Sequence, residues 1–493
     1  MMSTLSFNQI RIFTALVSLL LSVTAFYIDD IINPDGILYI HMAEAFVDNG
    51  LAGIKEYTSY NWPFFAIFIA GLHSLTTLPL ELCSNILNSL FFVIFTDTLL
   101  LISNKTFINK QNLILAAIFI ICFQSFNEYR DYIVRDIGYW AFCSLSLYRF
   151  IIFIESPSVR NATIWQLVAI IAILFRVEGV VFLFGLPLYL WLCTPIKQAL
   201  KSYLQLNYLV IITLVSTTIF AIGQTGLATV FGKLTTVLSY IEPARFMQTL
   251  TEKSDIIADQ VLNQYSDRFS TLILVSGLIT MLIYKLVKAL SLPYFALYIA
   301  SIWNRKIESH PHQKLIIYFV LLNIILLLAF LFHEYFMSKR YVIMAGAGLF
   351  LLMLPSLCSY IDRLFHHRSR KTLGFIALLL IIGLVDSMTQ SGSKAYIQST
   401  AIWASNNLPE GSRILTNNVR ADYYVHKSNP DISHQFAERL QAHLNNNDYL
   451  IIVEKRGRTT IKDALQGISL EFIYSEQNKK KDRASVYLIS AIP

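Results

Sequence analysis

The sequence predicts a polytopic α-helical membrane protein of about eleven transmembrane helices, followed by a small soluble α/β domain. Three observations carry this. Charged side chains make up 14% of the 493 residues, against about 25% in an ordinary soluble chain. Hydrophobic residues reach 55% and recur in runs near the ~20 residues that cross a bilayer. The charge is gathered at one end, with 23 of the 71 Asp, Glu, Lys and Arg residues in 390–493. A membrane module over 1–389 and a soluble domain over 390–493 are therefore expected. This composition argues against a soluble enzyme, a nucleic-acid-binding domain and a disordered scaffold. The formal charge of +7 is accounted for by Lys and Arg collected on cytoplasmic loops, so no nucleic-acid partner is implied.

The runs lie around 10–27, 81–103, 112–127, 137–154, 207–223, 269–288, 315–332, 341–358 and 372–388. Three stretches, 62–78, 164–193 and 290–303, are ambiguous, and the positive-inside rule arbitrates. Lys105 and Lys110, Lys197 and Lys201, the cations from Lys285 to Lys314, and the Arg363–Lys371 cluster all belong on one side. They share it if 62–78 and 290–303 lie at the interface or re-enter, and if 164–193 is two short spans turning at Arg176–Gly179. Eleven spans result, with the N-terminus inside and the C-terminus outside. The first run has no small-residue cleavage site before the acidic stretch at 27–30, so it is read as an uncleaved span. All five cysteines fall in apolar runs, which excludes a disulfide framework or CxxC metal site.

The tail alternates short elements. Strands are expected at Arg413–Thr416, Tyr449–Val453, Leu470–Tyr474 and Val486–Ile489, with helices over 395–407, 432–446 and 460–466. The Lys479–Arg483 cluster reads as a solvated turn.

On the external side lie 28–80, 128–136, 224–268, 333–340 and the tail, and the first loop, 28–80, is acidic. Ionisable residues at span ends are costly unless paired or wet, so their recurrence on one side points to a shared cavity. Asp29, Asp30 and Asp35, with Tyr39, offer a carboxylate that can take a proton from a hydroxyl; Asp35 also reads as the N-cap of a helix from Ile37 to Val47. Arg130-Asp131 and Arg135-Asp136 precede a span, where local ion pairing would equally explain them. Arg176 and Glu178 sit between two short apolar runs. His333-Glu334 and Ser338-Lys339-Arg340-Tyr341 put two cations on the side that normally lacks them, which an anionic ligand such as a lipid phosphate would explain. The histidines are scattered, and no P-loop, GxGxxG or G-x-S-x-G element has a plausible setting. A transferred group would arrive already activated on a membrane carrier.

These ordered motifs resemble those of the GT-C superfamily of polyprenyl-phosphate-sugar-dependent glycosyltransferases, which includes protein O-mannosyltransferases and bacterial enzymes that add sugars to lipid A or other envelope glycans. The resemblance covers roughly 25–360. It rests on Asp35-Gly36-Ile37-Leu38-Tyr39 with Ala43 and Gly50, the aromatic-Pro start Tyr60-Asn61-Trp62-Pro63, Arg135-Asp136, Arg176-Val177-Glu178-Gly179 and Ser338-Lys339-Arg340-Tyr341. Two positions depart from the pattern. Gly36 stands where a second acidic residue is usual, and Val177 replaces the turn's Pro.

The resemblance implies an inverting sugar transfer from a polyprenyl-phosphate donor to an envelope glycan, lipid or protein acceptor at a bacterial inner membrane. An external carboxylate, Asp35, Asp30 or Asp29, would be the base, and Asp136 would complete the acidic cluster. Arg340, Lys339 and Arg176 would hold the donor phosphate, supported by Glu178, Tyr341, Tyr39 and Glu334. Some members hold a divalent ion, Mg or Mn, and some do not, so the metal stays open. An O-antigen polymerase or ligase and a lipid-linked sugar flippase are the rival readings. The acidic first loop and the soluble tail disfavour the first, and the absence of paired broken helices disfavours the second.

Overall fold

The computed structural model describes the chain except residues 1–4, 29–30, 59–61, 108–111, 223–242, 304–309, 390–392, 438–439, 441–442, 457–468 and 491–493. It divides into two compact units. One takes in Met1–Ser22, Ile86–Arg130 and Arg135–Ser387; the other takes in Val23–Asn85, Asp131–Val134 and Met388–Pro493. The second unit thus joins residues 390–493 to the whole of 28–80.

The chain is a polytopic helical membrane protein. Among the described residues seven helices are long and apolar enough to cross a membrane: Phe7–Ile28, Leu80–Thr106, Asp136–Glu155, Asp267–Leu290, Gln313–Glu334, Lys339–His366 and Arg370–Met388. Shorter apolar helices occupy Val159–Phe175 and Val177–Cys193, so the 164–193 stretch breaks at Arg176. The ambiguous runs 62–78 and 290–303 fold as helices of 13 residues (Phe64–Thr76) and 11 residues (Leu292–Ile302). At 1.5 Å per residue neither spans a ~30 Å hydrocarbon core. The run expected to cross at 112–127 is instead the nine-residue helix Leu113–Ile121 followed by a single turn, Gln124–Asn127. Asn127 ends it, donating from its amide to the Ile121 carbonyl at 2.8 Å. Phe123, its backbone extended, packs against Phe126, Tyr294 and Phe350 in the core.

The second unit carries a five-stranded mixed sheet: β1 (Arg413–Thr416), β2 (Ser433–Phe436), β3 (Tyr449–Glu454), β4 (Ser469–Gln477) and β5 (Arg483–Ser490). Their order is β2-β1-β3-β5-β4. β1 pairs in parallel with β2 and β3, and β5 pairs antiparallel with β3 and β4. One cluster on the sheet joins Leu415, Leu450 and Ile452 to Leu440 and Leu444. The Ala395–Asn407 helix packs against β4 and β5, with Trp403 stacked on Tyr474 at 4.2 Å. Two expectations are corrected. Ser433–Phe436 begins no helix over 432–446; it adds a strand because the backbone of β1 is there to pair with, a partner that polar Ser-His-Gln does not announce. A helix not expected from the sequence runs over Val419–Ser428, started by Asn418, whose side chain accepts from the Arg420 N–H at 3.0 Å. The helix expected over 460–466 lies outside the described residues. The Lys479–Arg483 cluster falls at the β4–β5 turn, closed by Asn478 and Asp482.

Candidate active site

In the first unit the helices Asp136–Glu155 and Val159–Phe175 pack against each other at a glycine. A Cβ on Gly138 would stand 2.5 Å from the Phe175 ring, so only glycine admits this approach. Phe175 stacks on Phe142, and the chain then leaves the helix at Arg176, whose φ of −142° and ψ of 124° are extended. Arg176 is thereby brought beside Asp136, at the first turn of the neighbouring helix. Its guanidinium donates to Asp136 Oδ1 and, at 2.6 Å, to Glu178 Oε1. The Arg176 and Asp136 side chains keep only 9% and 4% of their exposure. Charges this buried persist only when paired and hydrogen-bonded, and one guanidinium holding two carboxylates meets that requirement. The pairing is long-range, so the local ion-pairing explanation for Asp136 does not hold.

The turn Lys339–Val342 leads into the helix Ile343–His366 and contributes the second cation. Arg340 Nε lies 3.9 Å from Asp136 Oδ2, with 21% of its side chain exposed. The ring of Tyr341 lies under both guanidinium groups, 4.6 Å from Arg176 and 5.3 Å from Arg340. A helix N-terminus repels cations and attracts anions. Two basic residues there require negative partners: Lys339 finds Glu128 at 2.6 Å, and Arg340 has Asp136.

These residues face a small cleft, partly open to solvent, lined by Arg176, Glu178, Arg340, Tyr341, Tyr139 and Asn323, with Leu326, Leu327 and Phe330 forming an apolar wall. Glu178 Oε2 is buried and accepts no hydrogen bond among the described residues. The wall therefore combines a saturated inner guanidinium, a more exposed outer one, an aromatic floor and a greasy side. Such a surface suits an anionic headgroup attached to an apolar chain.

The remaining expected residues fall elsewhere. Glu334 is exposed and turned to His333 at 3.0 Å. Arg130, fully buried, donates to the Ser18 carbonyl and to the Ser22, Ser18 and Asn127 side chains, and so ties helices together. In the second unit Asp35 occupies the first turn of the helix Pro34–Tyr57, whose N-cap position is Asn33, so Asp35 is not the cap. Tyr39 is buried edge-on against Phe65, 5.0 Å between centroids. Burial and neighbouring Asp48 push the Glu44 carboxyl up from its ordinary value. Asp29 and Asp30 lie outside the described residues. Gly36 stands where a second acid was expected because there is no room for one: a Cβ would lie 2.9 Å from Ile133 Cβ. No group of three or more His, Cys, Asp or Glu side chains is placed to hold a metal among the described residues, and Asp136 is already committed to arginine. The described residues do not fit an ion.

Sequence reasoning passed over Glu128, Tyr139 and Asn323. Asn323 left a readable signal as a polar residue inside an apolar span. Tyr139 left none, since aromatic residues abound in these helices.

No family model and no curated protein matches the sequence. Among solved structures, the chain is similar to the archaeal oligosaccharyltransferase AglB from Archaeoglobus fulgidus, in complex with an inhibitory peptide and a dolichol-phosphate. The identity is 11%, 97% of this chain and 74% of that one are covered, and the TM-score is 0.52. Weaker likenesses are to ArnT from Cupriavidus metallidurans (12% identity, 97% of each chain, TM-score 0.42) and to the mycobacterial arabinofuranosyltransferase AftD (12%, 99% and 40%, TM-score 0.48). At 11% identity the likeness to AglB is one of fold alone.

Proposed function

We propose that this protein is an integral-membrane inverting glycosyltransferase that moves a sugar from a polyprenyl-phosphate donor to an envelope glycan, lipid or protein acceptor. The observation that carries the reading is the guanidinium pair on the cavity wall. Arg176 is occupied by Asp136 and Glu178, while the more exposed Arg340 at a helix N-terminus presents positive charge beside an apolar wall. In the reaction a carboxylate takes the proton of an acceptor hydroxyl, and the oxygen forms a bond to the anomeric carbon. The bond from that carbon to the phosphate oxygen breaks, and polyprenyl phosphate leaves with the electron pair. Negative charge grows on the phosphate as it departs, so a cation poised there stabilises the transition state more than the ground state.

In this scheme Arg340 meets the leaving phosphate and Lys339 adds to the field. Arg176 positions Arg340 through Asp136 and the shared Tyr341 ring. Asp35 is the base. The membrane module is 1–389 and the extracytoplasmic domain 390–493, with the N-terminus cytoplasmic and the membrane a bacterial inner membrane.

The test is donor binding and turnover by Arg340 variants. Arg340→Ala should lower turnover about 10²- to 10³-fold, as loss of one donor to a developing oxyanion does. Arg340→Lys should fall between Ala and wild type, because an ammonium group cannot give the two parallel hydrogen bonds of a guanidinium. Full turnover by Arg340→Ala would remove the phosphate role.

A further inference from the structure

The second unit holds an arrangement that the proposed chemistry does not by itself require. Both backbone groups of Ile32, three residues before Asp35, are taken by side chains of the Val419–Ser428 helix. The Ile32 N–H donates to the Tyr424 hydroxyl at 3.2 Å, and Arg420 Nε donates to the Ile32 carbonyl at 2.9 Å. Arg420 and Tyr424 are four residues apart, so they lie on one face of their helix. Next in the chain, buried Asn33 exchanges two hydrogen bonds with the backbone of Ile133. Its amide donates to the Ile133 carbonyl at 3.2 Å, and its carbonyl oxygen accepts from the Ile133 N–H at 2.8 Å. Gly36 then lies against Ile133 with no space for a Cβ. The same helix is fixed at a second place, to the first turn of the helix Leu80–Thr106, where Tyr423 and Lys427 both donate to Glu81 Oε1.

A chain entering a helix normally satisfies its N–H groups with its own cap. Here the cap residue Asn33 makes no capping bond, and its side chain is spent on Ile133. The entry point of the Asp35 helix is set from outside, by a helix of the C-terminal domain on one side and residues 131–134 on the other. A side chain one turn inside a helix follows the position of that helix's first residues, so the clamp fixes where the Asp35 carboxylate stands. We infer that Arg420 and Tyr424 are positioning residues for Asp35, and that the C-terminal domain takes part in sugar transfer by holding the catalytic loop in register. This rests on the reading of Asp35 as the base.

The experiment is a double-mutant cycle on the purified full-length protein, with turnover of a polyprenyl-phosphate sugar and binding of undecaprenyl phosphate as separate readouts. Misplacement of a reacting group by about 1 Å can cost about 10²-fold. Arg420→Ala should therefore lower kcat between about 10- and 10²-fold while undecaprenyl phosphate binds as before. Arg420→Lys, which keeps a donor, should recover part of the loss, and Tyr424→Phe should lower kcat with the protein still folded by thermal unfolding. In an Asp35→Asn background, Arg420→Ala should bring little further loss. The same factor in both backgrounds would overturn the inference by showing a role independent of Asp35. Unchanged kcat in Arg420→Ala, with Asp35→Asn impaired, would overturn it while leaving the base assignment intact. Full activity of Asp35→Asn alone would remove the base assignment and the clamp's purpose together.

Discussion

Asp136→Asn tests the charge arrangement on which the cavity depends. The wild-type wall carries two guanidinium groups and two carboxylates; the substitution leaves two cations and one anion in the same space. Arg176 and Asp136 keep 9% and 4% of their side-chain exposure, so water can do little to screen the imbalance. For Arg340 and Asp136 alone, unit charges 3.9 Å apart in an effective dielectric of about 20 attract by roughly 4 kcal/mol. Breaking a buried pair by removing one partner costs about 3–5 kcal/mol. Asn keeps the size and one oxygen acceptor for Arg176, and Glu178 still holds the other side of that guanidinium, which places the expected loss near the lower end, about 3 kcal/mol. The assay is denaturant unfolding of detergent-solubilised protein for wild type, Asp136→Asn, Arg176→Gln and the double variant. A coupling energy of about 2 kcal/mol or more between the two sites is expected, within the range for residues in one ion-pair network. Coupling below about 0.5 kcal/mol, as for a surface pair, would mean that the site is wet and the burial argument fails.

Gly36→Ala gains about 1 kcal/mol of helix propensity but forces a methyl to within 2.9 Å of Ile133 Cβ, where overpacking costs about 1–3 kcal/mol. A net loss in thermal unfolding is expected, larger still for Gly36→Asp, and a stabilised Gly36→Ala would show that Ile133 does not lie there. His41 donates to or accepts from the Tyr57 hydroxyl at 3.0 Å and faces His426, His434, Asp422 and Tyr423. Burial, then the nearby His426, lowers its pKa from the ordinary 6.5, with Asp422 opposing. A lowered folded pKa means that the unfolded chain binds more protons between the two values, so this stability is complete above about pH 6.5 and is lost as pH falls through the folded pKa. His41→Gln should flatten the fall of the unfolding temperature between pH 7.5 and 5, and an unaltered slope would exclude His41 as its source.

Much of the fold was legible because lipid imposes a simple rule on composition. Long apolar runs had to be helices, and the charge bias separated segments such as 62–78, which fold as helices too short to cross, from the crossings. The break at Arg176 was also readable, since a guanidinium and a carboxylate between two apolar runs cannot lie in hydrocarbon. Residues 112–127 misled because hydropathy carries no information about where Asn127 turns its amide. Ser433–Phe436 misled because a four-residue parallel strand draws its stability from β1 and has no pattern of its own. At the site, sequence order brought Asp136, Arg176, Glu178, Arg340 and Tyr341 to notice, and the structure brings these five together. It could not say that Arg176 is consumed by carboxylates, leaving Arg340 the more exposed cation. Nor could it show the hold of Arg420 and Tyr424 on Ile32, which joins residues nearly 400 positions apart.

The central claim is that the protein cleaves a polyprenyl-phosphate sugar and does not merely carry it. Purified protein in proteoliposomes, given labelled polyprenyl-phosphate sugar and a panel of envelope acceptors, should release polyprenyl phosphate in quantity only when the right acceptor is present, and Arg340→Ala should slow that release about 10²- to 10³-fold. Movement of intact donor across the bilayer, with no polyprenyl phosphate released against the full panel, would contradict the account and identify a flippase.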